Sequence, residues 1–328
     1  MIREEPTLAA EAQTFERHRP LLFSIAYRML GSAMDAEDIV QEAYLRWRAT
    51  NVEIRSPRAY LSTVVTRLSI DRLRSAKARR EQYVGPWLPE PIATGDSSDV
   101  AEAPVVEESL SMAFLVLLES LTPVERAVFL LREVFDYDYA EISRVVGKTE
   151  TNCRQIAHRT RSAVAARRPR FESSQEERER MTKLFVKACA DGDMRGLLSL
   201  LSEDAVFYSD GGGRAVAARN PIYGADRIAR LMLGLASKTT QEFAVRLVGI
   251  NGQVGIVVYA GDHPDSVLTL AVSGGRITAV HNVRNPDKLH AVPRLDAVDG
   301  NKNGQQPRPR RRALPKGNRR DGSRKREK

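Results

Sequence analysis

The sequence is poor in cysteine and lacks a long apolar run. Its only two cysteines, Cys153 and Cys189, lie far apart without the spacing of metal ligands, so we expect no metal site and a reducing cytoplasm around them. The longest apolar run, Met112 to Leu118, is too short to cross a bilayer. Acidic side chains near the N-terminus do not fit a secretion signal. These absences predict a cytoplasmic protein that does not enter a membrane.

The excess of positive charge lies at the C-terminal end. Of 51 basic and 42 acidic residues, residues 301–328 hold twelve and two respectively, so the first 300 residues are close to neutral. A stretch rich in proline, glycine and arginine, with few apolar residues, is typical of disorder. We therefore expect residues 291–328 to form a disordered basic tail, whose simplest role is nonspecific affinity for nucleic acid.

The charges before the tail occur in blocks. Residues 55–80 carry eight basic side chains against one acidic side chain, residues 90–125 carry no lysine or arginine, and residues 144–170 are basic again. Two basic modules joined by an acidic tether indicate an organised nucleic-acid-binding protein. The tether is either an inert linker or a segment that enters a basic channel of a large partner.

The first module is predicted to be helical. Apolar residues recur at helical spacing from Phe15 to Met29, and Gly31 ends that helix. Asp35 is expected to cap the next helix, which has an apolar stripe ending at Trp47. Its outer face is acidic and is therefore unsuited to DNA, because phosphate binding needs positive charge. That face is predicted to bind a protein, and it consists of Asp35, Glu37, Asp38, Gln41 and Glu42.

A basic helix follows the acidic one. Ser56 and Pro57 are predicted to begin it, since proline is preorganised for a first helical turn. A surface that holds separated DNA strands needs positive charge and aromatic faces. The candidates are Arg55, Arg58, Tyr60, Ser62, Thr66, Arg67 and Arg74. Tyr60 as a core aromatic residue, and the whole set as an ordinary solvated face, remain the alternatives.

The second module predicts a helix-turn-helix. One helix begins at Thr122, a short one ends at Gly147, and Thr149 caps the last. In this motif the second helix enters the major groove. Glutamine pairs well with adenine and arginine with guanine, so the outward face of that helix can read bases. The candidates are Thr151, Arg154, Gln155, His158 and Arg159. The alternative is a helical hairpin with a basic exterior.

These segments carry a family resemblance. DAEDIVQEAYLRW (35–47), SPRAYLSTVVTRLSIDRLR (56–74), LTPVERAVFLLREVF (121–135) and YAEISRVVGKTETNCRQIAHRTR (139–161) resemble regions 2 and 4 of extracytoplasmic-function sigma factors. The resemblance covers roughly residues 12–170. It implies a bacterial initiation subunit that binds the largest-subunit clamp and the flap of core RNA polymerase. By resemblance, the basic helix would read and open the −10 element of promoter DNA, and the helix-turn-helix would bind the −35 element.

Residues 176–290 follow a different pattern. A helix is predicted around 181–188, followed by strands at 205–209, 243–250, 253–259, 266–272 and 277–283. Asn251-Gly252 and Gly274-Gly275 are hairpin turns. This order predicts an antiparallel α+β cone that resembles the SnoaL-like fold. The expected protein is thus multidomain: all-α sigma region 2 (12–82), a linker (83–108), all-α sigma region 4 (109–170), the cone and the tail.

Two other functions are compatible with parts of the sequence. Some SnoaL-like proteins are cyclases or isomerases, and Asp210, His281, Tyr208 and Arg284 are candidates for acid–base work in a DNA-bound enzyme. A dimeric repressor would need only the helix-turn-helix. Neither alternative explains the acidic helix ahead of the basic one. We therefore expect no catalytic residue and no cofactor.

The linker contains the sequence GPWLPEP at residues 85–91, which places a tryptophan among prolines. Rigid proline-rich segments lose little entropy on docking, so we expect Trp87 to pack against another part of the chain. Together with DGGGR at 210–214 and NPDKL at 285–289, this segment resembles a SigJ-like branch with a fused SnoaL-like domain. That branch implies regulation in cis without a separate anti-sigma factor, although Arg214 replaces the usual lysine. The implied contact residues are Trp87, Pro89, Asp210, Gly211, Gly212, Gly213, Asn285, Pro286, Asp287, Lys288 and Leu289.

Overall fold

The computed structural model of the protein describes residues 8–50, 54–80, 83–94, 110–167, 173–238 and 243–295. Several predicted features lie outside the described residues, namely positions 95–108 of the linker, positions 296–328 of the tail, and the basic residues Arg168 and Arg170. Within the described residues the chain forms a helical N-terminal half and a C-terminal half with one mixed sheet.

Three helices form region 2: α1 (Leu8–Leu30), α2 (Ala33–Arg48) and α3 (Pro57–Arg80). Gly31 ends α1 with a left-handed φ of 68°, and Pro57 begins α3, as the sequence predicts. The prediction that Asp35 caps α2 is wrong, because α2 begins earlier. Ser32 is the cap, and its hydroxyl accepts a 3.1 Å hydrogen bond from the backbone N–H of Asp35.

Region 4 consists of α4 (Met112–Leu118), α5 (Pro123–Glu133), α6 (Tyr139–Val146) and α7 (Glu150–Arg167). Thr122 and Glu125 form a reciprocal capping box at the start of α5. Gly147, with φ of 66°, ends α6, and Thr149 caps α7 by accepting from the backbone of Asn152. The predicted helix-turn-helix is therefore confirmed as α6 and α7.

Regions 2 and 4 share one hydrophobic core instead of forming separate bodies. Buried side chains of α1, α2 and α3 pack with those of α4, α5 and α7 in a single cluster. Polar contacts reinforce this packing: Arg126 of α5 donates to the carbonyl of Met29 at 2.7 Å, and the hydroxyl of Tyr137 donates to that of Ser62 at 2.7 Å. Arg67 of α3 donates to two carbonyls at the end of α6. The helical N-terminal half of the chain is thus in a closed arrangement.

In the residues that the structure describes, the C-terminal half contains three helices and a six-stranded sheet. The helices are α8 (Gln175–Asp191), α9 (Met194–Leu200) and α10 (Ala225–Lys238). The strands are β1 (Leu201–Asp210), β2 (Ile222–Tyr223), β3 (Phe243–Ile250), β4 (Gln253–Ala260), β5 (His263–Ser273) and β6 (Arg276–Val283), and a 3₁₀ turn spans Pro286–Lys288. All five predicted strands are present, and α9, α10 and β2 are additional.

The strand order is β2-β1-β6-β5-β4-β3. The expectation of a purely antiparallel sheet is wrong, because β1 and β6 pair in parallel. The strands from β3 to β6 are consecutive and joined by hairpin turns, which makes each neighbouring pair antiparallel. Strands β1 and β6 are far apart in the sequence, so no hairpin turn forces them to be antiparallel.

The two faces of the sheet have different neighbours. One face, which includes Phe207, packs under α8, α9 and α10. The opposite face, which includes Tyr259 and Val283, packs against Leu88 of the linker and Met112 of α4. Because side chains alternate along a strand, the sheet turns this second face toward the linker and the helical N-terminal half of the chain.

Candidate functional site

The acidic face of α2 lies on the surface of the molecule. Glu37, Asp38 and Gln41 are exposed, while Asp35 and Glu42 are half-buried. Each carboxylate has a nearby arginine: Arg72 pairs with Asp35 at 3.1 Å and with Asp38 at 3.0 Å, Arg19 pairs with Glu37 at 2.6 Å, and Arg46 pairs with Glu42 at 2.9 Å. Such solvent-exposed pairs contribute little stability, so a protein partner can exchange them at low cost.

The candidate −10 residues do not form one open surface in this arrangement. Those at exposed positions are Arg55, Arg58, Arg67 and Arg74. Ser62 and Thr66 are fully buried, and Tyr60 is half-buried with its hydroxyl 2.9 Å from that of Thr50. Region 4 covers this side of α3, because Tyr137 bonds to Ser62 and lies under the guanidinium of Arg58 at 5.4 Å.

The candidate −35 residues share one exposed face of α7, and they are Thr151, Arg154, Gln155, His158 and Arg159. Behind them Cys153, Ile156 and Ala157 are buried, as the periodicity predicts. The guanidinium of Arg154 pairs with Glu150 at 2.9 Å and lies 5.2 Å from the ring of Tyr139. A helix with this exposed basic face has the shape and charge for a major groove.

The linker is bound to the C-terminal domain by a buried ion pair. Asp210, at the end of β1, is fully buried, and its Oδ2 lies 2.7 Å from Nζ of Lys288 in the NPDKL segment. The same Oδ2 accepts from the backbone N–H of Leu88 at 2.8 Å, and Nζ of Lys288 donates to the carbonyl of Leu88 at 2.6 Å. The backbone N–H and the carbonyl of Leu88 are therefore both hydrogen-bonded to the ion pair. These bonds also help to satisfy the two buried charges, because a charge can be buried only when it is paired and hydrogen-bonded.

Two aromatic rings of the linker enclose the lysine. Nζ of Lys288 lies 4.1 Å from the ring centroid of Trp87 and 5.1 Å from that of Tyr83, within the range of cation–π attraction. The hydroxyl of Tyr83 donates to Oδ1 of Asp210 at 2.6 Å and accepts from Asn285 at 3.0 Å. Burial, followed by the hydrogen bond to Asp210, raises the pKa of Tyr83. We call the contact of residues 83–91 with Asp210 and Lys288 the clasp.

The remaining residues of the three motifs lie around the clasp. A Cβ added at Gly212, where φ is 58°, would collide with the side-chain amide of Asn285, so a close approach requires glycine there. Outside the clasp, Asp287 pairs with Arg214 at 2.9 Å. The other motif residues occupy mixed positions: Pro89, Gly211 and Leu289 are buried, and Gly213 and Pro286 are exposed.

The far end of the linker segment reaches the start of the acidic helix. The buried carboxylate of Glu90 accepts from the backbone N–H of Ala33 at 2.8 Å, of Met34 at 3.4 Å, and from the hydroxyl of Ser32 at 3.2 Å. The backbone N–H of Glu90 donates to the carbonyl of Gly31 at 2.8 Å. A carboxylate at a helix N-terminus is favoured by the helix dipole. Sequence reasoning did not find this role, because nothing in the local pattern links positions 33 and 90.

A second contact was also missed from the sequence. Asn251, in the turn between β3 and β4, donates through Nδ2 to the hydroxyl of Tyr27 at 2.6 Å and to the carbonyl of Leu110 at 3.1 Å. Its Oδ1 accepts from the backbone N–H of Ile92 at 3.0 Å. The hydroxyl of Tyr27 in turn donates to the carbonyl of Glu90 at 2.7 Å. One side chain thus bonds to region 2, to the linker and to Leu110 at the start of region 4.

Comparisons with known proteins agree with this layout. The family model of Sigma-70 region 2 matches residues 14–79, and that of Sigma-70 region 4 matches residues 111–164. ECF RNA polymerase sigma factor SigJ of Mycobacterium tuberculosis is 38% identical over 295 residues, which cover 86% of this chain and 94% of the relative. The chain belongs to the ECF sigma factors.

Further relatives support the same assignment. A probable ECF sigma factor, SigI of M. tuberculosis, is 32% identical and covers 88% of this chain and 97% of its own length. The crystal structure of M. tuberculosis SigJ superposes with a TM-score of 0.70 at 35% identity, covering 86% of this chain and 99% of that one. The likeness therefore extends through the C-terminal domain of this sigma factor.

The residues considered for acid–base chemistry are placed away from the helices of the C-terminal domain. Asp210 is occupied by the clasp, and Arg284 pairs with Asp265 at 2.9 Å. His281 is buried and stacks on Tyr208 with the ring centroids 5.6 Å apart. Burial lowers the pKa of His281 to about 4, so the ring is neutral near pH 7. Alternation along the strands assigns Tyr208, Asp210 and His281 to the face that packs against the linker.

None of the helices in the described ranges is both long and apolar enough to span a membrane. No cluster of three or more histidine, cysteine or acidic side chains suited to a metal ion occurs in the same part of the chain.

Proposed function

We propose that this sigma factor is held in a closed form by its own C-terminal domain and binds core RNA polymerase when the clasp opens. In the open form the acidic face of α2 binds the clamp coiled coil of the largest polymerase subunit. The basic side of α3 then reads and opens the −10 element, while α7 binds the −35 element and region 4 contacts the flap.

The observation that carries the proposal is the set of hydrogen bonds made by Asn251. Its side chain bonds to Tyr27, Ile92 and Leu110, which belong to region 2, the linker and the entry to region 4. Because these three parts meet at one residue of the C-terminal domain, that domain stabilises their closed arrangement. The clasp adds a second attachment through the linker.

The geometry of a promoter supports the need for opening. Elements centred about 25 base pairs apart are separated by on the order of 80 Å at about 3.4 Å per step. Regions 2 and 4 share a hydrophobic core here, and Ser62 of the −10 set is buried with its hydroxyl bonded to Tyr137 of region 4. The two regions therefore have to separate before both elements can be bound together.

The proposal assigns the regulatory role to this chain alone, so no separate anti-sigma factor is expected. It gives the C-terminal domain no catalytic task, since Asp210 serves the clasp and His281 is buried and neutral. It also places the protein in the bacterial cytoplasm, where core polymerase transcribes.

Reconstituted run-off transcription with core polymerase tests these assignments. Asp38→Asn combined with Gln41→Ala should lower core affinity at least tenfold, and Arg154→Ala should reduce initiation only on promoters with a −35 element. Glu90→Ala should raise core affinity, since Ser32 still caps α2 while the linker loses its hold on that helix. Asp193→Ala removes the N-cap of α9, which lies on the face of the sheet opposite the described linker residues, and it serves as the control. Unchanged transcription with the α2 variant would refute the polymerase assignment.

A further inference from the structure

Glu125 has two partners with different tasks. Its Oε2 accepts from the backbone N–H of Thr122 at 3.1 Å and from the hydroxyl of Thr122 at 2.8 Å, which completes the cap of α5. Its Oε1 accepts from Nη2 of Arg159 at 2.6 Å. The carboxylate is thus fixed to the start of α5 by one oxygen and holds an arginine of α7 by the other.

This contact lies at a groove on the surface that faces outward from the helix-turn-helix. The groove has a volume of about 490 Å³ between the start of α5 and α7, and Lys148, Asn152 and Gln155 line it together with the Glu125–Arg159 pair. The side chain of Arg159 is 72% exposed and that of Glu125 is 21% exposed. The arginine therefore faces solvent, while the carboxylate holds it from behind.

A single negative charge at such a place has two opposite effects on DNA binding. It repels phosphate, which lowers affinity for every duplex. It also holds the guanidinium of Arg159 in place. A guanidinium has five N–H donors, so the donors that do not bond to Glu125 stay free to bond to a base. An arginine held in one orientation loses less entropy on binding and is better suited to the bidentate geometry of guanine.

We propose that Glu125 is a positioning residue for −35 recognition: it orients Arg159 toward a base pair, which increases sequence discrimination at the expense of general affinity. This inference rests on the proposed role of α7 in binding the −35 element. It concerns a residue of α5 that makes no contact with DNA itself in this scheme.

The chain offers a matched control. Glu133 of α5 holds Arg161 of α7 at 2.5 Å, with side-chain exposures of 26% and 54%. The pair has the same chemistry and joins the same two helices, but Arg161 is not on the predicted reading face. Glu133→Gln therefore removes an equal charge without releasing a base-reading arginine.

The experiment is selection of binding sites by the full-length protein from a randomised duplex library, followed by titration of the selected and of unrelated duplexes. Arg159→Ala identifies the base pair that Arg159 reads. Glu125→Gln should lower discrimination at that base pair by about five- to tenfold and raise affinity for unrelated duplexes about two- to threefold. Glu133→Gln should raise general affinity without changing any base preference.

Thr122→Ala distinguishes the capping role of Glu125 from its role in positioning Arg159. The substitution removes the capping hydroxyl, while the backbone N–H at position 122 still bonds to Glu125 and the Glu125–Arg159 pair remains. The inference predicts unchanged base preference for this variant. It is overturned if Thr122→Ala shifts the preference as much as Glu125→Gln, or if Glu125→Gln keeps the preference that Arg159→Ala loses. In the latter case the −35 role of α7 still stands. If Arg159→Ala changes no preference, the inference fails together with the proposed role of Arg159.

Discussion

Asn251 and Tyr27 are 224 residues apart in the sequence, and a buried hydrogen bond of 2.6 Å joins their side chains. Both side chains are buried, so losing one of them leaves the other short of one hydrogen-bond partner, at a cost of about 1–3 kcal/mol. The bond links the C-terminal domain directly to the first helix of region 2. Stability of the sigma half is therefore coupled to a hairpin turn of the domain that follows it.

The ion pair of the clasp predicts an asymmetric response to mutation. Lys288→Met leaves the fully buried carboxylate of Asp210 without its cation, which should cost about 3–5 kcal/mol. Adding Asp210→Asn should recover part of this loss, because no buried charge remains. Urea unfolding, followed by the fluorescence of Trp87 in a Trp47→Phe background, measures the free energy of unfolding of the single and of the double variant. Equal stability of the single and double variants would contradict a charge-based clasp.

A methyl group at Gly31 should disturb the linker. Its Cβ would lie 2.8 Å from Cη2 of Trp87, so Gly31→Ala should cost about 1–3 kcal/mol through this overlap, in addition to backbone strain. Gly192→Ala is the control, since its φ of 69° matches the 68° of Gly31 and no atom lies within 4 Å of the added Cβ. The difference between the two variants in free energy of unfolding isolates the contact with Trp87. Equal free energies of unfolding would mean that Trp87 moves away from the added methyl group at no measurable cost.

His281 predicts a specific sensitivity to acid. Its pKa is about 4 in the folded protein, below the ordinary value of 6.5, because the ring is buried. The unfolded chain takes up the proton first as pH falls, so the stabilisation is present above pH 6.5 and is lost between pH 6.5 and 4. By pH 5 the loss amounts to about 2 kcal/mol. His281→Phe keeps an aromatic ring beside Tyr208 and should show a smaller fall between pH 7 and 5, whereas parallel curves would disprove this assignment.

The hydroxyl of Tyr137 should help to keep regions 2 and 4 together. Tyr137→Phe leaves the buried hydroxyl of Ser62 without its 2.7 Å partner in the closed form only. A loss of about 1 kcal/mol favours opening about fivefold. Hydrogen exchange of the α3 amides reports this change. Tyr139→Phe removes a hydroxyl within region 4 and should leave α3 unaffected, and equal exchange in both variants would argue against the interface.

Local signals in the sequence were sufficient for most secondary structure. Gly31 and Pro57 mark a helix end and a helix start, and Asn251-Gly252 marks a hairpin turn. Helix α10 carries the same kind of signal, since Ile228, Leu231 and Met232 recur at helical spacing, yet it is absent from the prediction. The wrong cap at Asp35 shows that boundaries are harder to predict than the helices themselves, because Ser32 and Asp35 are both good caps.

The candidate site was only partly accessible from the sequence. The tryptophan among prolines predicts docking within the chain, and the structure brings Trp87 against Lys288. The cap formed by Glu90 and the bonds of Asn251 join positions far apart, and no periodicity relates such positions. The burial of Ser62 is also unpredictable locally, because its hydroxyl bonds to Tyr137 of region 4, which is 75 residues away.

The affinity of core RNA polymerase for Asn251→Gly tests the central claim most directly. Glycine tolerates the left-handed φ of 53° at this position, so the substitution removes the three side-chain bonds without straining the turn. Asp193→Ala provides the baseline for an unrelated loss in the same domain. If the C-terminal domain restrains the sigma half, Asn251→Gly should bind core polymerase at least about fivefold more tightly than wild type, which corresponds to the loss of about 1 kcal/mol or more of closed-form stability. Affinity equal to or weaker than that of wild type would contradict the account.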